Sequence, residues 1–186
     1  MGEEEGIAMS RFFSFLVVTI FTVPLLLAFG GGPALAQMPS AEPTTATTYT
    51  DSVQGIEFWE GMIVGNTRLG ASFGGDASGD LPGVMVASID YTPPSPGPSV
   101  SNEIVGGRWA LFSSQGKVFG TFDGGTVQWN ADGTLAEVEA NMSVLGGAVD
   151  GRSVAGGVGT FGGVLDHTPL TEGLPPTVGG TLQLAL

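Results

Sequence analysis

The sequence predicts an all-β domain, a single antiparallel β-barrel of about eight or nine strands, with a β-sandwich as the alternative. Three observations carry that prediction. From Ala136 to Val144 apolar and polar residues alternate strictly, the period of a half-buried strand. The 32 glycines recur as pairs between β-branched and aromatic residues, as at Gly74-Gly75, Gly124-Gly125, Gly146-Gly147 and Gly162-Gly163. Glycine inside a strand marks bends and close backbone approach, which a sheet needs to curl into a small barrel. Beyond residue 36 no segment has helical periodicity, so short strands and Gly-rich turns are left to make a barrel or a sandwich.

Each element follows from local composition. Residues 56–64 (Ile-Glu-Phe-Trp-Glu-Gly-Met-Ile-Val) are rich in strand formers. Arg68–Phe73 is a second strand, ended by Gly74-Gly75, and Val84–Tyr91 is a third. Pro93-Pro94-Ser95-Pro96-Gly97-Pro98 is a stiff extended loop, because proline cannot donate to a ladder. A strand with a glycine bend covers 104–112, and shorter ones cover 118–122 and 126–129. Asn130-Ala131-Asp132-Gly133 is a tight turn, since Asn, Asp and Gly tolerate left-handed geometry. In the strand after it Ala136, Val138, Ala140, Met142 and Val144 share one face, and Glu137, Glu139, Asn141 and Ser143 the other. Val154–Val164 is a glycine-substituted strand, and Thr181–Leu186 is a last one with Leu182, Leu184 and Leu186 on one face. Three similar pieces (71–75, 120–124 and 159–163) lie 49 and 39 residues apart, so no fixed period supports a solenoid.

The amino-terminal residues read as an export signal. Arg11 precedes an apolar run from Phe12 to Phe29; Gly30-Gly31-Gly32-Pro33 breaks it, and Ala34-Leu35-Ala36 offers small-x-small before Gln37. Glu3, Glu4 and Glu5 stand where a basic region is expected, whereas Met9-Ser10-Arg11 would begin a more ordinary leader, so Met1 and Met9 both stand as starts. The competing reading is an uncleaved anchor, since about 18 residues just span a bilayer. Cleavage is the expectation, which divides the chain into a secretory signal (1–36), a flexible segment (37–52) and the barrel domain (53–186). It also places the working protein outside the cytoplasm, secreted or periplasmic, touching membrane only through the signal.

Composition narrows the function classes. The chain has no cysteine, so an exported domain of this size is held by packing alone and has no thiol chemistry. Residues 37–186 hold four Lys/Arg and 15 Asp/Glu, a net charge of −11. The carboxylates are scattered singly, which gives a solvated, self-repelling surface. Nucleic acid is not an expected partner, because phosphate binding needs clustered Lys/Arg.

The stretch Val144-Leu145-Gly146-Gly147-Ala148, followed by Ala155-Gly156-Gly157-Val158-Gly159-Thr160-Phe161, resembles a signature of dirigent and allene-oxide-cyclase-like barrels. Those families carry a Val-x-Gly-Gly-Thr-Gly turn and then a Gly-x-Gly-x-Phe strand. The resemblance implies an eight-stranded antiparallel barrel whose interior holds a hydrophobic small molecule and shapes its cyclisation or coupling. It covers some 20 residues closely. Ala148-Val149 stands where the pattern has Thr-Gly, 150–153 has no counterpart, and no catalytic residue carries over.

Candidate chemistry is sparse. His167, the only histidine, would be a general base or ligand if Asp166 oriented it, though neighbours on a strand face apart; an exposed loop histidine is the plainer reading. No Gly-x-Ser-x-Gly elbow supplies a hydrolase serine. Asp76 and Asp80 sit in a Gly-rich stretch that lacks the spacing of a calcium loop, so no metal and no cofactor is expected. Glu57 and Glu60 flank Phe58-Trp59, a carboxylate pair beside aromatics, but at strand spacing i and i+3 face opposite sides. Arg68 and Arg108 are rare cations that would anchor a substrate carboxylate if buried. The residues expected to line a pocket are Trp59, Trp109, Trp129, Phe119 and Arg108, with Phe58, Phe73, Phe122 and Phe161 beside them.

The leading expectation is an exported barrel, monomer or dimer, that binds an apolar small molecule; any catalysis would be cyclisation or isomerisation by shape and proximity. The alternative is a non-catalytic extracellular structural or interaction module. A secreted glycosidase or other hydrolase ranks last.

Overall fold

The computed structural model describes residues 46–95 and 97–186. The strands are β1 (Thr48–Trp59), β2 (Met62–Val64), β3 (Thr67–Gly79), β4 (Gly83–Thr92), β5 (Ser101–Ser113), β6 (Gly116–Trp129), β7 (Leu135–Val149), β8 (Arg152–Ser153), β9 (Val158–Asp166) and β10 (Thr177–Ala185). Every pairing is antiparallel. The order runs β1-β10-β9-β7-β6-β5-β4-β3, and β3 pairs back onto β1. Eight strands therefore close a barrel, as the glycine bends predict, and β2 and β8 lie outside the ring. Closure leaves the ring without an edge.

The expected strands appear, mostly longer than composition alone suggested. β3 runs through Gly74-Gly75 to Gly79 instead of ending there. The two strands expected at 118–122 and 126–129 are one strand, β6, whose pairing with β7 shifts between Phe122 and Gly124. Conversely, 56–64 is broken at Glu60-Gly61 into β1 and β2, and 154–164 yields β9 only from Val158. β1 begins at Thr48, so the β-branched Thr48 and Thr50 and inward Asp51 belong to the ring. The proposed signal and most of the flexible segment fall outside the described residues.

The core is the inside of the ring. β7 shows why: Ala136, Val138, Ala140, Met142 and Val144 are buried and Glu137, Glu139 and Asn141 are exposed, as the alternation predicts. Glycine permits the curvature. A Cβ at Gly55 on β1 would lie 2.5 Å from the Gly74 carbonyl oxygen, and one at Gly75 would collide with the Gln54 carbonyl. Strands β1 and β3 cross too tightly there for a side chain.

The two ends of the barrel differ. At the base, where β1 and β4 begin, fully buried Leu81, Leu111, Val118, Leu182 and Leu184 fill the section. At the mouth, where β1, β4, β6 and β9 end, inward positions carry polar side chains. The Pro93–Pro98 connection borders this end, as does a 3-10 turn over Thr168–Glu172 that ends on left-handed Gly173 (φ +74°).

Candidate functional site at the barrel mouth

Strand alternation aims five polar side chains inward at the mouth. Glu57 lies two residues beyond inward-facing Gly55 on β1, and Tyr91 two beyond buried Ile89 on β4. Asn102 is two before buried Ile104 on β5, and Trp129 two beyond buried Val127 on β6. His167 is two beyond buried Leu165, just past β9.

These groups form one constellation. The His167 Nε2 nitrogen is 3.3 Å from Glu57 Oε2, with the side chains only 18% and 7% exposed. The contact is not a hydrogen bond, and Nε2 is buried without a hydrogen-bond partner. The imidazole packs edge-on against Trp129, ring centroids 4.7 Å apart. Trp129 Nε1 donates to Asn102 Oδ1 at 2.8 Å. Asn102 Nδ2 donates in turn to the carbonyls of Pro93 (2.7 Å) and Ser95 (3.3 Å), which fastens the proline loop beside the mouth. A buried polar chain of this kind fixes each ring in one orientation.

Tyr91 completes the layer. Burial, chiefly, pushes its hydroxyl up to about 12; Arg68 opposes the shift, and the charges of Glu57 and Glu60 add to it. At neutral pH it is a protonated donor held near carboxylate charge. The Arg68 guanidinium lies 6.0 Å from the Tyr91 ring centroid, and its Nε donates to the Pro94 carbonyl at 2.6 Å. Arg68 also pairs with Glu60 at 3.6 Å, so its charge is engaged within the rim.

Below this layer lies an apolar void of about 60 Å³, lined by residues that include Phe73, Met85, Phe122, Ala140, Phe161 and Leu165. Drug-sized ligands occupy about 300 Å³ or more, so the interior is mostly side chain. A second concavity of about 480 Å³ lies outside on β6, β7 and β9, along Thr126, Glu139, Asn141 and Thr160. It is a shallow part of the outer sheet with no buried titratable group.

Of the residues expected to line a pocket, Trp109 and Trp129 point inward, and Phe73, Phe122 and Phe161 line the void. Trp109 is packed in the core, its Nε1 donating to the Thr121 carbonyl, and does not border the void. Trp59, Phe119 and Arg108 are exposed and cannot line the interior. For Phe119 and Arg108 the reason is parity, since their neighbours Val118 and Trp109 take the inward positions. For Trp59 it is a register shift between Glu57 and Trp59 that turns the strand over. Phe58 is exposed as well.

His167 faces Glu57, not Asp166. The Asp166 carboxylate instead accepts from the Thr168 N–H at 2.8 Å and, held by Thr168, titrates below the ordinary carboxylate range. Asp80 accepts from the Thr50 N–H, and Asp76 is exposed on β3. Among the described residues no three His, Asp or Glu side chains converge as a metal site. Sequence reasoning missed Tyr91, the last residue of the strand read at 84–91, and Asn102, which lies two residues before the strand read at 104–112 because β5 begins earlier, at Ser101.

A closed barrel with an inward polar layer over a small apolar void defines a class of architecture. No protein-family model matches the chain, and no curated protein or solved structure matches it.

Proposed function

We propose that the barrel binds a small molecule with an apolar body and a hydrogen-bonding end, seated at the mouth. The observation that carries this reading is the buried Glu57–His167 pair above an apolar void, with one imidazole nitrogen left without a hydrogen bond. A buried polar atom without a partner costs about 1–3 kcal/mol, which a ligand's hydroxyl or carbonyl would recover. The void accepts only the tip of the apolar body. The rest sits among Tyr91, Trp129 and His167, or displaces the Met85, Phe122 and Phe161 side chains. A carboxylate and an imidazole in contact are also the parts of a proton shuttle. Through that pair binding would become isomerisation or cyclisation of an apolar substrate, the chemistry the dirigent and allene-oxide-cyclase resemblance implies. The protein acts outside the cytoplasm after cleavage at Ala36-Gln37.

Calorimetric titration with a panel of cyclic ketones and alcohols, each matched to its hydrocarbon, tests the reading. The oxygenated members are expected to bind at least about tenfold more tightly, as one recovered hydrogen bond of ~1.4 kcal/mol requires. Ala140→Phe, which fills the void, should abolish binding, and Glu57→Gln should weaken it. No binding by any member, or binding indifferent to Ala140→Phe, would reject it. A second reading, a non-catalytic extracellular module, draws support from the largely filled interior and from the apolar side chains exposed on β1 and β2.

A further inference from the structure

Past Glu57 the β1 strand leaves the ring. The Glu57 N–H donates to the Pro176 carbonyl, and β10 begins only at Thr177, opposite Ile56. Beyond that point the chain bulges at Glu60-Gly61 and resumes as β2, which pairs with β3 alone. Gly65, at φ +61°, takes the first central position of the two-residue turn into β3, where a type II′ hairpin demands positive φ. Phe58 to Val64 thus forms a hairpin arm projecting beyond the mouth with one free hydrogen-bonding edge. The arm is braced from below. Arg68 Nη1 donates to the Glu60 carbonyl, and Thr92 Oγ1 donates to the Asn66 carbonyl at 2.6 Å.

Free edges are ordinarily guarded by Lys, Pro or a bulge that turns them away. β2 is Met62-Ile63-Val64, uncharged and exposed throughout. Around it stand Ile56, Phe58, Trp59 and Leu69; these seven large apolar side chains are each 38–61% exposed. Together they present an area on the scale of the ~800 Å² that each partner of a standard interface buries. The only charges on the arm, Glu60 and Arg68, neutralise each other.

We infer that this arm is the interface of a two-fold homodimer, in which β2 pairs antiparallel with β2 of a second copy about Ile63. Self-complementarity selects that occupant, and charge selects the place. A chain of net charge −13 repels its own copies over most of its surface, and the neutral arm is where two copies meet with least repulsion. An antiparallel edge is also self-complementary, so one patch serves both partners.

The absence of native cysteine permits a direct test on the full chain. With Ile63→Cys, two-fold pairing sets the two Cβ atoms about 4.5–5.5 Å apart, near enough for a disulfide after small adjustment. Mild oxidation should then give a covalent dimer, and Thr160→Cys, exposed on β9, should not. Ile63→Lys should convert dimer to monomer in sedimentation velocity, with its far-UV circular dichroism unchanged because Ile63 lies outside the barrel core, and with an unfolding midpoint that no longer depends on protein concentration. Failure of Ile63→Cys to cross-link beyond the Thr160→Cys control would overturn the inference. So would a dimer that survives Ile63→Lys, or a monomer that instead co-sediments with zwitterionic lipid vesicles.

Discussion

The two ends of the barrel are built by the same alternation and filled with different chemistry. At the base the inward positions are Leu81, Leu111, Val118, Leu182 and Leu184, all almost completely buried. At the mouth they are Glu57, Tyr91, Asn102, Trp129 and His167, above about 60 Å³ of empty apolar space. The base binds one carboxyl tightly: Asp51 Oδ1 accepts from the Leu81 N–H at 2.9 Å while Oδ2 is buried with no partner. The lesson is a division of labour along one axis. Aliphatic packing dominates the base, which encloses a single carboxyl, whereas five polar side chains share one layer at the mouth.

The largest expected effect tests the packing contrast. Leu182→Ala at the base should cost toward the upper end of the about 2–5 kcal/mol range for buried leucines. Leu165→Ala, beside the existing void, should cost toward the lower end, because fewer neighbours lose contact. Chemical denaturation of both variants reads the difference, and equal losses would erase the distinction between the ends.

Next in size is the polar chain. Asn102→Ala strands the Trp129 indole N–H and frees the carbonyls of Pro93 and Ser95, with an expected loss of about 1–3 kcal/mol. Thermal unfolding followed by tryptophan fluorescence measures it. An unchanged midpoint would show that the chain of hydrogen bonds does not tie the proline loop to the mouth.

The smallest effect concerns Asp51. Burial, chiefly, raises its pKa above the ordinary 3.8; the Leu81 N–H opposes the shift and Asp80 adds to it. The folded state then binds this proton more tightly than the unfolded state. Asp51 therefore makes stability fall as pH rises from the ordinary value through the raised one, with no contribution below both. Asp51→Asn should flatten that part of the profile. Urea midpoints for both proteins across acidic pH sharpen the contrast between the ends. Identical slopes would mean that the base carboxyl is not strained by its surroundings.

Much of the barrel was legible in the sequence because period-2 alternation is local. β7 could be read residue by residue from Ala136 to Val144, and the paired glycines announced closure. The site was less legible for two physical reasons. Alternation holds only until a bulge, and the register shift after Glu57 throws Trp59 to the outside while leaving Glu57 inside. The pairing of Glu57 with His167 is made by ring closure through β10 and β9, so no local pattern announces it. The two residues were each noted and given other partners. Carrying the inward phase forward from Ile89 and backward from Ile104 would have found Tyr91 and Asn102.

The ring's pairings follow chain order from β3 to β10, except where β1 meets β10. That seam is pinned by reciprocal backbone bonds of 2.9 Å between Thr47 and Leu186. Every other ladder joins segments close in sequence, so the entropy of closing the longest loop falls on this one. The seam is then the ladder whose formation costs the most chain entropy. It ends beside Glu57, so an opening that starts there loosens the mouth while the leucine-packed base still holds.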